Sequence, residues 1–183
     1  MLKECVYVVL AAFVMGYVLA FLPAWPSWSV GGWGSWFYFA GLSFLMLITN
    51  LGAKKLVALK LGCHAKLTLW NIQRYWITQR AYFKRPIPAW IIWPLLIFWL
   101  TVGKLKWIAL TLFEIKPVAS RVERRFVELT EWDIAVVAAG GIAANLLLVV
   151  ISSLLGYKSF AVLNLWFIFL NLLPIPSYDG CKI

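Results

Sequence analysis

The chain has 183 residues and a net charge of +10, and 63% of its residues are hydrophobic while only 13% are charged. A soluble domain carries about half apolar and a quarter charged residues, so this composition excludes an ordinary soluble domain and places apolar surface against lipid. In so apolar a chain the basic excess indicates anionic lipid headgroups as partners, and no nucleic acid.

The apolar runs predict helices that cross the bilayer. The first run is closed by prolines and has no clear cleavage site after it, so it is interpreted as an uncleaved span rather than a signal peptide. Gly62 predicts the end of the second helix, and Thr130 with Asp133 predicts a capping box before the third. The predicted crossings are residues 6–22, 36–61, 134–155 and 160–173.

The middle of the chain predicts a small sheet and one incomplete crossing. Residues 63–71 and 105–118 alternate in the manner of strands at the membrane surface. Residues 89–102 are apolar but too few for a full crossing, and they contain Pro94, which favours a re-entrant segment. A segment that dips in and returns also keeps its basic flanks in one compartment, as the positive-inside rule prefers, with the N-terminus cytoplasmic.

The predicted fold is therefore mainly α: a polytopic membrane protein with about four transmembrane helices, one re-entrant segment and a small membrane-edge β-sheet. The cysteines (Cys5, Cys63 and Cys181) are odd in number and form no CxxC pair, so free thiols are expected.

The C-terminus carries the pattern NxxPxxxxDG, formed by Asn171, Pro174, Asp179 and Gly180. A carboxylate at a proline-broken membrane helix is by default a functional hypothesis. The pattern resembles that of the site-2 protease family of intramembrane zinc metalloproteases, in which the Asp completes a zinc site. The order of elements is also similar, and the small residues from Gly140 onward resemble a family helix that packs closely and places an Asn, here Asn145, near the active site.

The resemblance covers residues 36–183 of a single integral-membrane domain, 1–183, in which 1–35 is an extra N-terminal helix and an uncharged interfacial loop. In the family a further helix follows the Asp motif, so the resemblance implies a chain that is truncated after it or that has lost this helix. The positive-inside rule, with four crossings, places the Asp motif on the cytoplasmic side, where the basic segments lie.

The zinc-binding motif of that family is missing. HExxH places two His ligands at i and i+4 of a helix, with the Glu activating water. Here these positions hold Asn50-Leu51-Gly52-Ala53-Lys54, and only Asp179 remains of the ligand set. Because catalytic zinc needs three protein ligands, no cofactor is expected. Zinc would bind, with Asp179 as a ligand, only if the metalloprotease interpretation holds.

Two further hypotheses concern the degenerate site. The lysine that replaces the second His predicts a Lys54–Asp179 ion pair, and the alternative is that Lys54, Lys55 and Lys60 extend to the headgroups. A zinc site of Cys63, His64 and Asp179 has no supporting spacing, and the plainer interpretation of His64 is a polar residue on a surface strand.

The sequence predicts a protein without hydrolytic activity, a pseudoprotease, that binds transmembrane helices of other membrane proteins. Its predicted polar cleft is lined by Asn145, Asn171 and Asp179. One alternative is an active zinc-dependent intramembrane endopeptidase whose motif is altered in this chain. Another is a small-solute transporter or channel subunit, because broken helices and buried charges also suit transport.

Overall fold

The computed structural model describes residues 2–20, 33–74, 82–101, 107–108, 111–117, 130–173 and 178–183. Within these ranges the protein is mainly helical, as predicted, and the four apolar runs each form a helix. The elements are α1 (Leu2–Ala20), α2 (Trp33–Lys60), β1 (Cys63–Leu69), β2 (Ile72–Arg74), β3 (Tyr82–Ile87), α3 (Ala89–Leu100), β4 (Thr111–Pro117), α4 (Glu131–Leu154), α5 (Lys158–Leu172) and a C-terminal 3-10 turn (Asp179–Cys181).

The strands form two small sheets. β1 pairs with β4, which confirms the two predicted strands, although residues 105–106, 109–110 and 118 of the second prediction lie outside the described residues. β2 and β3 form an antiparallel pair in which Ile72 lies opposite Ile87. This second pair was not predicted, because β2 has only three residues and shows no alternation of its own.

Two predicted helix ends are confirmed. Gly62 follows α2 with φ of +69°, a left-handed conformation that suits glycine and ends a helix. At the start of α4, the backbone nitrogen of Asp133 donates to the Thr130 hydroxyl at 3.2 Å, and the Thr130 nitrogen donates to the Asp133 carboxylate at 3.2 Å. The two bonds form the predicted capping box and satisfy N–H groups that a helix start leaves unpaired.

The chain divides into two compact units, and the first comprises residues up to 43 together with 68–112. In this unit α1 packs closely on the beginning of α2. A Cβ atom at Gly16 would lie only 2.7 Å from the backbone nitrogen of Ala40, so the glycine permits the contact. The Trp36 indole donates to the Phe13 carbonyl at 3.0 Å and ties the same two helices together.

The second unit comprises residues 44–67 and 113–183. Its apolar core lies where the end of α2, strands β1 and β4, and the start of α4 meet. The buried members are Ala58, Cys63, Ala65, Phe113, Val137 and Ala138. α4 and α5 pack against each other in this unit. They are connected by a turn in which Gly156 has φ of +82°.

Among the described residues, α2 and α4 are long and apolar enough to cross a membrane, whereas α1, α3 and α5 are apolar but shorter. α3 has 12 residues and contains Pro94, so at 1.5 Å per residue it extends about 18 Å, less than a bilayer core of about 30 Å. The expected number of crossings and the re-entrant path of α3 stay predictions.

Candidate functional site

A buried ion pair joins α2 to the C-terminal turn. The Lys54 ammonium donates to Oδ2 of Asp179 over 2.6 Å, and the two side chains are only 7% and 4% exposed. The predicted Lys54–Asp179 pair is therefore confirmed. Lys54 does not extend to the headgroups as the alternative required, since its nitrogen is held by the carboxylate.

Two adjacent glycines of α4 allow α2 to pack closely, and one of them, Gly141, makes room for the lysine. A Cβ atom at Gly141 would lie 2.8 Å from Cγ of Lys54, closer still to its Cε, and 3.1 Å from Nδ2 of Asn50. A Cβ at Gly140 would lie 2.8 Å from a methyl carbon of Val57. α2 and α4 thus pack as closely as the small residues predicted, and the notch at Gly141 lets the Lys54 side chain run across α4.

The C-terminal turn presents Asp179 in a fixed orientation. The Asp179 carbonyl accepts hydrogen bonds from the nitrogens of Lys182 at 2.9 Å and Ile183 at 3.2 Å. Tyr178, just before it, is fully buried. A Cβ at Gly180 would overlap the Leu172 carbonyl, so the glycine of the pattern is required where the turn meets the end of α5.

Phe113 of β4 contacts two ammonium groups at this site. The Lys54 nitrogen lies 4.3 Å from the centroid of its ring and the Lys182 nitrogen 3.7 Å, both within the range of cation–π attraction. Lys182 also donates to the Phe113 carbonyl at 2.7 Å. Burial lowers the pKa of Lys182, and the negative charge of Asp179 opposes that shift. The buried face of the site is therefore an aromatic ring with two cations and one carboxylate.

Sequence reasoning did not single out Phe113 or Lys182. The available signals were weak: Phe113 lies inside a correctly predicted strand, and Lys182 follows Asp179 by three positions without belonging to a recognisable motif. Only the pairing of β4 with β1 brings Phe113 into the second unit's core.

The remaining polar residues are buried but differ in their hydrogen bonds. Asn50 is buried against Gly141, whereas Leu51 is partly buried and no contact places it at the pair. Asn171 donates to the Phe167 carbonyl of its own helix at 2.8 Å. Asn145 is 0% exposed, and both polar atoms of its side chain lack a partner among the described residues. A buried unpaired amide is costly, which marks Asn145 as the least satisfied member of the predicted lining.

Asn164 of α5 is a further buried amide that sequence reasoning missed. Its Nδ2 donates to the Phe160 carbonyl at 3.0 Å, and its Oδ1 has no partner within the described part of the chain. Asn164 and Asn171 are two helical turns apart and so share a face of α5. The unpaired polar atoms of the second unit thus extend from α4 to α5.

The residues at the degenerate motif do not fit a zinc ion. A protonated lysine offers only donors, and here it occupies an oxygen of the one candidate carboxylate. In the described ranges no three residues among His, Cys, Asp and Glu are grouped so that they could hold a metal.

The rival ligand set of Cys63, His64 and Asp179 is not supported either. Cys63 is buried and His64 is exposed, because consecutive residues of β1 point to opposite faces. His64 therefore lies on a surface strand, as the plainer interpretation held. Burial, and secondarily the charge of Asp133, raises the pKa of the Cys63 thiol, which disfavours the thiolate that metals bind.

Comparisons of this chain with protein-family models, with curated proteins and with solved structures give no match. The predicted resemblance to site-2 proteases therefore stays a prediction from the Asn171–Gly180 pattern and the order of elements in the sequence.

Proposed function

We propose that this protein is a non-hydrolytic, site-2-protease-like membrane protein that binds transmembrane helices of other membrane proteins. The observation that carries the proposal is the buried Lys54–Asp179 pair. Under the resemblance, these two residues stand where two metal ligands of an active enzyme would lie. Because the Lys54 ammonium binds the Asp179 carboxylate, that carboxylate is not free to bind a metal ion or to act as a base for hydrolysis. The surrounding helices nevertheless remain packed.

The exposure of the apolar helices supports a bilayer environment. A core helix of a soluble protein is mostly buried, but only 33% of the apolar stretch of α2 and 28% of that of α4 is buried. Along α4 the exposed side chains include large apolar residues such as Leu147, Val150 and Leu154. Lipid is the simplest cover for faces of this kind. In the proposal the chain crosses about four times, α3 is re-entrant, and the N-terminus and Asp179 face the cytoplasm.

The internal polar groups support helix binding as the activity. Charges within membrane segments are expensive and are retained where they serve a function. The pair joins α2 to the C-terminal turn, and a polar contact of this kind is known in other systems to fix one arrangement of packed helices. The amide of Asn145, one helical turn beyond Gly141 on α4, has hydrogen-bonding capacity that no described residue uses. We propose that a client helix binds where α2, α4 and the turn meet, and that these helices separate enough on binding to expose Asn145 as the polar contact.

The activity can be tested with the full chain in liposomes. A fluorescent single-span leucine helix with one central Asn would be co-reconstituted, and energy transfer would report association while gel analysis reports cleavage. We expect association that Asn145→Leu weakens, with the all-leucine helix as matched control, and an intact helix throughout. Cleavage that a chelator blocks would instead establish the endopeptidase, and equal energy transfer for both helices would refute specific binding.

The alignment of the degenerate motif has its own test. Replacing Asn50 and Lys54 by His and Leu51 by Glu in one variant would restore two ligands on one helix face and free Asp179. We expect this variant to bind one zinc ion per chain and to lose the ion when Asp179→Asn is added. A folded triple variant that binds no zinc would contradict the proposed correspondence of positions.

A further inference from the structure

Among the described residues of the second unit, the partly buried ammonium of Lys182 forms no salt bridge. Lys54 and Asp179 satisfy each other, but Lys182 on the same Phe113 ring forms no salt bridge with any described carboxylate. An ammonium has three donors, and the described contacts of Lys182 use one, to the Phe113 carbonyl. Among the described residues, the buried side of the site therefore has one positive charge in excess.

The neighbouring charges leave that excess in place. Glu114 follows Phe113 on β4, where alternation directs it to the opposite, exposed face, so water weakens its attraction for Lys182 without abolishing it. Lys182 itself is partly buried, and burial lowers its pKa. A bound anion would offset the desolvation of this ammonium, since opposite charge favours the protonated form.

The position of Lys182 along the helices suits a lipid phosphate. α2 ends at Lys60, so Lys54 lies about 9 Å short of that helix end at 1.5 Å per residue. The C-terminal turn begins shortly after the end of α5 and packs against it. In a bilayer the ends of spanning helices lie at the headgroup region, where phosphate groups are concentrated. Lysine binds phosphate as a compact point charge.

We propose that Lys182, held on Phe113, forms a binding subsite for the phosphate oxyanion of an anionic lipid headgroup. The ring and the Phe113 carbonyl position the ammonium, and its two remaining N–H groups donate to the phosphate oxygens. This inference depends only on the membrane part of the proposed function. It is independent of client binding, so the liposome experiment above and the lipid experiment below can fail separately.

The test is native mass spectrometry of the full chain with phosphatidylglycerol and phosphatidylcholine at equal concentration. We expect the wild type to retain phosphatidylglycerol preferentially, and Lys182→Met to lower that preference by about tenfold or more, as for a lost hydrogen bond to a charged group, compared with about fivefold at most for one exposed surface lysine. Lys158→Met is the matched control, because it removes an exposed lysine at the start of α5 and changes the net charge equally. Equal losses in the two variants would overturn the subsite and leave only nonspecific attraction.

A second pair of variants tests for an increase in lipid binding, because a misfolded variant would lose binding rather than gain it. Glu114→Gln removes the one described carboxylate close by besides Asp179, and we expect it to raise the preference for phosphatidylglycerol. Glu131→Gln, at the exposed start of α4, makes the same charge change elsewhere and should have no effect. An equal increase in both variants would contradict a local site.

A third experiment adds inorganic phosphate and so distinguishes a lipid headgroup from free phosphate as the ligand. Retained preference for phosphatidylglycerol in millimolar phosphate supports a lipid site. Binding of inorganic phosphate without any preference between the two lipids would overturn it.

Discussion

Lys54 and Asp179 are 125 positions apart in the chain, yet the ammonium and the carboxylate lie 2.6 Å from each other and are almost fully buried. Neither charge is tolerable alone at such a position, because removing an ion from water without a partner carries a penalty of several kcal/mol. Each residue therefore requires the other. This interdependence makes α2 and the C-terminal turn one structural assembly, and it leads to the following predictions.

Gly141→Ala should destabilise the protein and displace Lys54. The new methyl group would overlap carbons of Lys54 and approach Asn50, so we expect a loss of about 1–3 kcal/mol in the free energy of unfolding, typical of overpacking. Gly52→Ala is the control, because a Cβ there meets nothing within 4 Å, and alanine should stabilise the helix by up to about 1 kcal/mol. Reversible unfolding in mixed micelles measures both. A neutral Gly141→Ala would show that α2 and α4 do not pack as described.

Gly16→Ala should loosen the contact between α1 and α2. Its Cβ would meet the backbone of Ala40, which cannot move aside as a flexible side chain can. We expect a lower melting temperature. We also expect the fluorescence of Trp36 to differ from that of the wild type, because its indole donates to the Phe13 carbonyl in the same contact. Gly41→Ala, in open space one position beyond Ala40, should raise the melting temperature slightly or leave it unchanged, and should leave the Trp36 fluorescence unchanged. Identical behaviour of the two variants would argue against a close α1–α2 contact.

The stability contributed by Lys182 should depend on pH. Burial holds its pKa in the folded state below the usual 10.5, so between these two values the unfolded chain binds more protons. Its contribution to stability is therefore fully present above pH 10.5 and is lost as the pH falls through the folded-state pKa. The difference in unfolding free energy between wild type and Lys182→Met should become more favourable to the wild type as pH rises toward 10.5. A pH-independent difference would mean that Lys182 is fully hydrated.

Much of the fold could be predicted because it depends on local signals. The apolar runs determine where helices form, and Gly62, Thr130 and Asp133 mark helix ends through backbone conformation and hydrogen bonds between close neighbours. The ion pair was predictable for a different reason. Spacing of i and i+4 on a helix gives Lys54 the place of a metal ligand, and the resemblance supplied Asp179 as its partner.

The rest of the site depends on contacts between distant segments. Phe113 lies under two ammonium groups only because β4 pairs with β1, and strand pairing is not encoded in a short window of sequence. Lys182 reaches that ring because the turn is held at Asp179. The short pair β2–β3 has too few residues for a periodic signal. The unpaired amides of Asn145 and Asn164 are likewise visible only once α4 and α5 are packed.

A double-mutant cycle on Lys54→Met and Asp179→Asn tests the central claim, the buried ion pair, most directly. We expect each single variant to lose about 3–5 kcal/mol of unfolding free energy, because it leaves a buried group without its partner. The double variant should lose clearly less than the sum of the two, since neither charge remains, and the shortfall is the coupling energy of the pair. Strictly additive losses would contradict the account, because they would mean that the ammonium and the carboxylate do not interact in the folded protein.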